Sequence, residues 1–309
     1  MHVAVSGAGG LIGGRLVGEL LSCGHEVTVL RRSGSSVPQG VHSSAWPQAV
    51  DDLHAVSCLR GVDAVVHLAG SPIAAGRWTA RRKLEIAQSR EGLTRRLVAA
   101  LGRGGIRPAA FICASAVGYY GPCGDLPLDE ESPPGEDFLA GVCVAWEGAA
   151  LGAAELGARV VRLRTGVVLA GAGGMLARLT PFFRLGLGGP VGSGRQWLSW
   201  ISIDDEVGAI RWLLERPDAE GAYNLTAPSP VRGQEFARAL GRAMHRPAAM
   251  PLPAPLVRLA FGEMGEAVLL AGQRALPRRL EGQGYRFRHP DLDAALGSAL
   301  AERRAAGVP

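Results

Sequence analysis

A strand, a glycine turn and a helix follow one another without a gap at the start of this 309-residue chain. Residues 3–13 read VAVSGAGGLIG, and the apolar residues Leu11, Ile12, Leu16, Val17, Leu20 and Leu21 then recur at helical spacing. A helix that begins directly after such a turn points bare N–H groups and the positive end of its dipole at whatever lies above. The glycines let a pyrophosphate reach the backbone, and the last of them lets the helix pack on the strand. The arrangement therefore predicts a dinucleotide site touching Gly7, Gly10, Leu11, Ile12 and Gly13.

The second strand, EVTVL over 26–30, ends at Arg31-Arg32. A fold of this kind that prefers NAD carries Asp or Glu near this point, on the ribose 2′-hydroxyl. Two guanidiniums stand there instead. They suit a 2′-phosphate and point to NADP(H), although a solvated basic strand end would look the same.

Further apolar runs, VDAVVHL at 62–68, AAFICA at 109–114 and RVVRLR at 159–164, alternate with helical stretches over 81–101 and 137–156. Strands and helices in this rhythm predict an α/β fold, a Rossmann-type doubly wound parallel sheet. Beyond Leu169 glycines crowd together and helices dominate. We expect an NADP-binding domain over 1–169 and a smaller mixed α/β substrate domain over 170–309, with the chain able to cross back between them. Ligands in such folds bind in the crevice at the carboxyl ends of the strands.

The formal net charge of +5 comes almost wholly from scattered arginines, with no basic stripe interleaved with aromatics, so nucleic acid is not an expected partner. The five cysteines form no C-x-x-C pair and no zinc-spaced cluster, which predicts no metal and reduced thiols in a cytoplasmic protein. The N-terminus has no signal-peptide pattern, and no apolar run of membrane-spanning length stands out, so no membrane partner is expected either. A small-molecule substrate is the expected partner, and the sequence is compatible with an oligomer.

These features resemble the extended short-chain dehydrogenase/reductases, the NAD-dependent epimerase/dehydratase superfamily. The phrases VVHLAG, SAVGYYG and GSGRQW…WISIDD carry the likeness. More narrowly, LAGSPI (68–73), RW…EIAQSR (77–90), PFFRLGLGGPVGSGRQW (181–197) and AGQRALP (271–277) resemble the atypical branch called epimerase family proteins, nearly end to end. The resemblance implies an NADP(H)-binding oxidoreductase or epimerase. It places cofactor contacts at the glycine turn, at Arg31 and Arg32, at Leu68, Ala69 and Gly70, at Glu85 and Arg90, and at the backbone of Val167. Taken alone, Glu85 and Arg90 read as a surface charge pair.

The superfamily's chemistry rests on a Ser/Thr, a Tyr and a Lys. Here Tyr120-Gly121 puts Ala116 at the hydroxyl position, with Ser115 one place early. Anchoring on Glu147 puts Leu139 at the Tyr position and Cys143 at the Lys position, and the only lysine, Lys83, lies upstream. Ser115, Tyr119 and Tyr120 are the remaining catalytic candidates. Cys143 lacks a nearby histidine and reads as a buried thiol. On the substrate side Arg195, Gln196, Trp197 and Trp200 form one loop suited to an anionic or planar ligand, such as a nucleotide-linked one. Two readings stand: an enzyme with non-standard proton handling, or a non-catalytic NADP(H) sensor.

Overall fold

The computed structural model describes residues 1–31, 41–47 and 56–307; Arg32 lies outside them. The first part of the chain runs β1 (His2–Ser6), α1 (Leu11–Ser22), β2 (Glu26–Arg31), β3 (His42–Ala45), β4 (Ala64–His67), α2 (Ala80–Ala87), α3 (Leu93–Arg103) and β5 (Ala110–Ala116). It continues with β6 (Pro127–Leu128), α4 (Phe138–Leu151), β7 (Arg159–Thr165), β8 (Val167–Leu169) and α5 (Gly174–Arg184). Next come β9 (Trp197–Leu198), β10 (Trp200–Ser202), α6 (Ile203–Glu215), β11 (Gly221–Leu225), β12 (Val231–Arg232) and α7 (Gly233–Met244). The chain closes with α8 (Ala254–Phe261), α9 (Glu263–Gly265), β13 (Arg274–Ala275), α10 (Arg278–Gly282) and α11 (Leu292–Ala305).

Seven strands pair in the order β11-β7-β5-β4-β1-β2-β3, every neighbour parallel. The inner strands are apolar without alternation because helices cover both faces. On one face Leu16 and Leu20 of α1 meet Ile210 and Leu213 of α6 over Val3, Val5 and Val66. On the other, Leu97, Leu101 and Trp146 pack on Phe111 and Val160. Strand order reverses between β1 and β4, so the crevice opens above their carboxyl ends.

The chain does not part cleanly at residue 169. The chain crosses back: α6 packs on α1, and β11 pairs with β7 at the sheet edge, so residues 203–225 complete the Rossmann unit. A second core remains, built from Leu169, Leu176, Phe183, Trp200, Phe236, Leu240 and Leu296. One segment also escaped the search for apolar runs. Phe138–Leu156 is long and apolar enough to cross a membrane by length and composition. Its Val142, Cys143, Trp146 and Ala150 are buried and α4 packs on β5 and β7, as in the core helix of a sheet protein.

Beneath the crevice, Ser6 Oγ lies 2.7 Å from His67 Nδ1, and His67 Nε2 lies 3.0 Å from Thr94 Oγ1. The Thr94 hydroxyl donates to Arg90 O, so it accepts from Nε2–H, and Nδ1 accepts from Ser6. Burial holds the His67 pKa down at about 4. Unfolding exposes an ordinary imidazole that binds a proton more readily, so this stability is full above pH ~6.5 and drains as pH falls towards about 4. The loss should reach about 3 kcal/mol. Urea titrations of wild type and His67→Gln across that window should converge as pH drops. A difference that does not change with pH would contradict this reading.

Candidate functional site

The glycine turn is built by close approach. Gly7 has φ of +77°, and a Cβ there would sit 2.8 Å from the Leu68 carbonyl carbon. A Cβ on Gly13 would sit 2.2 Å from Gly7 O, so α1 can start only if residue 13 has no side chain. Gly10 caps α1 without a side-chain hydrogen bond. The first N–H groups of α1 therefore face the switch point, with Leu11 and Ile12 in its first turn. Arg31 ends β2 and donates from Nε to Ser43 Oγ at 3.3 Å.

After β4, residues 68–71 are held from the side. Leu68 N donates to Ser6 Oγ at 3.2 Å, and Ser71 N to Ser89 Oγ at 3.0 Å. Glu85 and Arg90 are not a charge pair. Glu85 pairs with Arg82 at 2.7 Å and accepts from the Ser71 hydroxyl at 3.2 Å. Those two hydrogen bonds, Arg82 first, hold its carboxyl below the usual range. Arg90 sits in a π-helical turn, Gln88–Gly92, between α2 and α3. Its guanidinium carbon is 3.4 Å from where a Gly70 Cβ would be, and lies 5.1 Å from the Trp146 ring centroid. Burial lowers the Arg90 pKa. Both residues thus border the segment Leu68, Ala69 and Gly70. Val167 N is committed to Ser199 O at 2.8 Å, so this N–H is not available to a ligand amide.

At the carboxyl end of β5, Ser115 Oγ donates to Glu147 Oε1 at 2.8 Å. Arg164 grips the same carboxylate with Nε at 2.9 Å and Nη2 at 3.0 Å, and Arg162 adds a contact at 3.2 Å. Arg164 also donates to Tyr120 Oη at 3.1 Å and to Glu130 O at 3.0 Å, and lies 3.5 Å from the Tyr119 ring centroid. Burial works against its charge, but the Glu147 carboxylate outweighs that and raises its pKa. Tyr120 is fully buried and donates to Asn224 Oδ1 at 2.6 Å. Burial pushes its phenol up to about 12, and with its proton on Asn224, its oxygen on Arg164 and no exposed surface it is not placed to carry a proton. Tyr119 is half-buried, and no hydrogen bond to its hydroxyl is present among the described residues.

Cys143 lies in this cluster, one turn from Glu147, and burial followed by the Glu147 charge pushes its thiol up to about 11. Leu139 packs on Gly118, whose added Cβ would meet it at 3.5 Å. Lys83 pairs with Glu263 at 2.5 Å and lies over the Phe138 ring, so the chain's one lysine is not beside Ser115. No disulfide joins the cysteines among the described residues.

The loop of 192–200 divides into two roles. Trp197 Nε1 donates to Asp125 Oδ1 at 3.0 Å, and the guanidiniums of Arg232 and Arg274 lie 4.0 and 4.7 Å from its ring centroid. Asp125 pairs with Arg232 at 2.8 Å. A cavity of about 310 Å³ opens here, lined by Asp125, Arg195, Gln196, Trp197 and Arg232 among others. Arg195 is exposed, whereas Gln196 Nε2 is spent on Val191 O and Leu269 O at 3.0 and 3.1 Å. Trp200 corrects the expectation outright. It is 0% exposed, donates to Ser229 O at 3.0 Å and belongs to the second core, so it meets no substrate. Arg164 and Glu147 are what sequence reasoning passed over as a site. The available signal was a charge in a strand with the apolar Val160, Val161 and Leu163.

A model of the NAD dependent epimerase/dehydratase family matches residues 3–226, and a domain of unknown function matches 252–299. An epimerase family protein of Mycobacterium tuberculosis is 46% identical over 299 residues, covering 96% of this chain and 97% of that protein. The crystal structure of human epimerase family protein SDR39U1 with NADPH superposes with a TM-score of 0.88 at 36% identity, over 97% of this chain and 99% of that one. A nucleoside-diphosphate sugar epimerase of Corynebacterium glutamicum gives 0.77 at 34% identity, over 97% of this chain and 58% of that one. With the switch-point turn and the fold agreeing, the chain belongs to the NAD dependent epimerase/dehydratase family, among its epimerase family proteins.

Proposed function

We propose that this chain binds NADP(H) and acts as an oxidoreductase or epimerase on a small hydroxyl or carbonyl compound, moving the proton without a Tyr–Lys pair. The observation that carries it is the glycine cradle at the switch point, where Cβ atoms on Gly7 and Gly13 would collide with backbone beneath an uncapped helix N-terminus. The residues fit the cofactor: the N–H groups of Leu11 and Ile12 suit its pyrophosphate, Arg31 and Arg32 its 2′-phosphate, and Leu68, Ala69, Gly70, Glu85 and Arg90 border the crevice. The bound nicotinamide would supply or accept the hydride.

The chain's own groups do the rest. Ser115 has its proton pinned on Glu147, so its free lone pairs can only accept a hydrogen bond. It orients a donor, such as a substrate hydroxyl. Tyr119 keeps the uncommitted phenol and is the group left to carry the proton. Arg195 and the cavity beside Trp197 hold the far end of the substrate, consistent with an anionic compound. The name of the Corynebacterium relative makes nucleotide sugars the first class to screen. A sensor reading draws support from the neutral Cys143 and the buried Tyr120, which leave few titrating groups near pH 7.

Screening carbonyl compounds and nucleotide sugars by NADPH oxidation, with deuterium wash-in for epimerisation, separates the two. Once a substrate is found, Tyr119→Phe should lower kcat at least about hundredfold while leaving NADPH affinity unchanged. Arg195→Ala should raise KM. Full activity in Tyr119→Phe would remove that residue from the mechanism.

A further inference from the structure

Two segments, 182–187 and 250–261, hold eight of the thirteen large apolar side chains exposed among the described residues. The two segments are tied together through the backbone. Met250 N donates to Gly188 O, Leu252 N to Pro190 O, and Val191 bridges Leu252. Helix α8 then turns outward, burying only Val257. Leu185 and Leu259 are 75% and 73% exposed, so these side chains project rather than line a groove.

The edge of this face is basic. A shallow depression of about 780 Å³ is walled by Arg238, Arg242, His245 and Arg246, and Arg246 Nε reaches Arg184 O at 3.2 Å. Arg242 pairs with Asp293 at 2.9 Å. Arg184, Arg238 and Arg246 have no acidic partner among the described residues. Projecting leucine, phenylalanine and methionine beside unpaired arginines is the chemistry of an interfacial surface, apolar tips entering the acyl boundary and cations meeting phosphate.

We propose that this face docks on an anionic lipid bilayer. A second copy of the chain fits less well, because neither 182–187 nor 250–261 carries an Asp or Glu to meet these arginines. A partner helix would need a groove, which projecting side chains do not make. The expectation of no membrane partner looked for a single apolar run, whereas these side chains come from two segments brought together by folding.

The test is co-sedimentation of the full chain with vesicles of phosphatidylcholine alone and of phosphatidylcholine mixed equally with phosphatidylglycerol. Binding should require phosphatidylglycerol and weaken as salt rises. Leu185→Ser with Leu259→Ser should lower partitioning at least about tenfold. Arg238→Gln with Arg246→Gln should abolish the lipid preference. All four positions are exposed, and an unchanged Tm confirms folding of each variant. Wild-type protein left in the supernatant overturns the proposal, as does a leucine variant that sediments like wild type. A wild-type dimer that the leucine variant returns to monomer would assign the face to a second copy and equally overturn it.

Discussion

Replacing Arg164 by methionine should lower the free energy of unfolding by about 3–5 kcal/mol, the cost of leaving a buried carboxylate without its main partner. Arg164 is 3% exposed and satisfies Glu147, Tyr120 and the Glu130 carbonyl at once. Without it Glu147 keeps only the Ser115 hydroxyl and one contact from Arg162 at 3.2 Å. The double change Arg164→Met with Glu147→Leu should recover a large part of the loss, because no charge is then stranded. Guanidinium titrations of the two single variants and the double close the cycle. A cost under about 1 kcal/mol for Arg164→Met would mean that this cluster does not hold the crevice floor.

Glu206→Gln should do the opposite at alkaline pH. Glu206 lies in the first turn of α6, where it accepts from Thr165 Oγ1 at 2.9 Å. Its Oε2 has no partner among the described residues. Burial pushes its carboxyl up to about 8, against the milder lowering by Thr165. The helix dipole favours the anion at this end, but desolvation wins. The sign follows from linkage. The unfolded carboxyl ionises from about pH 4.5 while the folded one stays protonated, so its contribution to stability is full below that pH and is lost as pH rises through about 8. Glutamine cannot ionise and avoids the loss. Glu206→Gln should therefore be more stable than wild type at pH 8 by on the order of 4 kcal/mol, with the gap closing towards pH 4.5. Thermal melts at both pH values decide it; an equal gap at both would place the effect in packing rather than ionisation.

The sequence made the first βαβ unit legible because its signals are local. A buried strand, glycines that must lack Cβ atoms and a helix periodicity all fall within residues 3–21. Topology beyond it was less so. The return of β11 to the main sheet depends on pairing Gly221–Leu225 with residues some sixty positions earlier, and no spacing rule reports that. Neighbouring aromatics were likewise indistinguishable. Tyr119 and Tyr120 share one 3₁₀ turn, Val117–Tyr120, yet only Tyr120 points into the core. Trp197 and Trp200 lie on either side of Ser199, whose carbonyl binds Val167 N and whose hydroxyl donates to Gln273 O at 2.7 Å, and only Trp200 is buried. RVVRLR was read as a strand, but the meaning of its arginines depends on Glu147, which a different element supplies.

The most direct measurement is calorimetric titration of the wild-type protein with NADPH and with NADH, repeated on Arg32→Ala and Gly13→Val. Each charge-assisted contact to the 2′-phosphate should contribute about 1.5–3 kcal/mol, so NADPH should bind more than about tenfold tighter than NADH. Arg32→Ala should erase most of that preference. Gly13→Val should abolish binding of both, because its Cβ would stand 2.2 Å from Gly7 O and displace the turn. Equal affinities for the two cofactors, or undiminished binding by Gly13→Val, would contradict an NADP(H) site on the glycine turn.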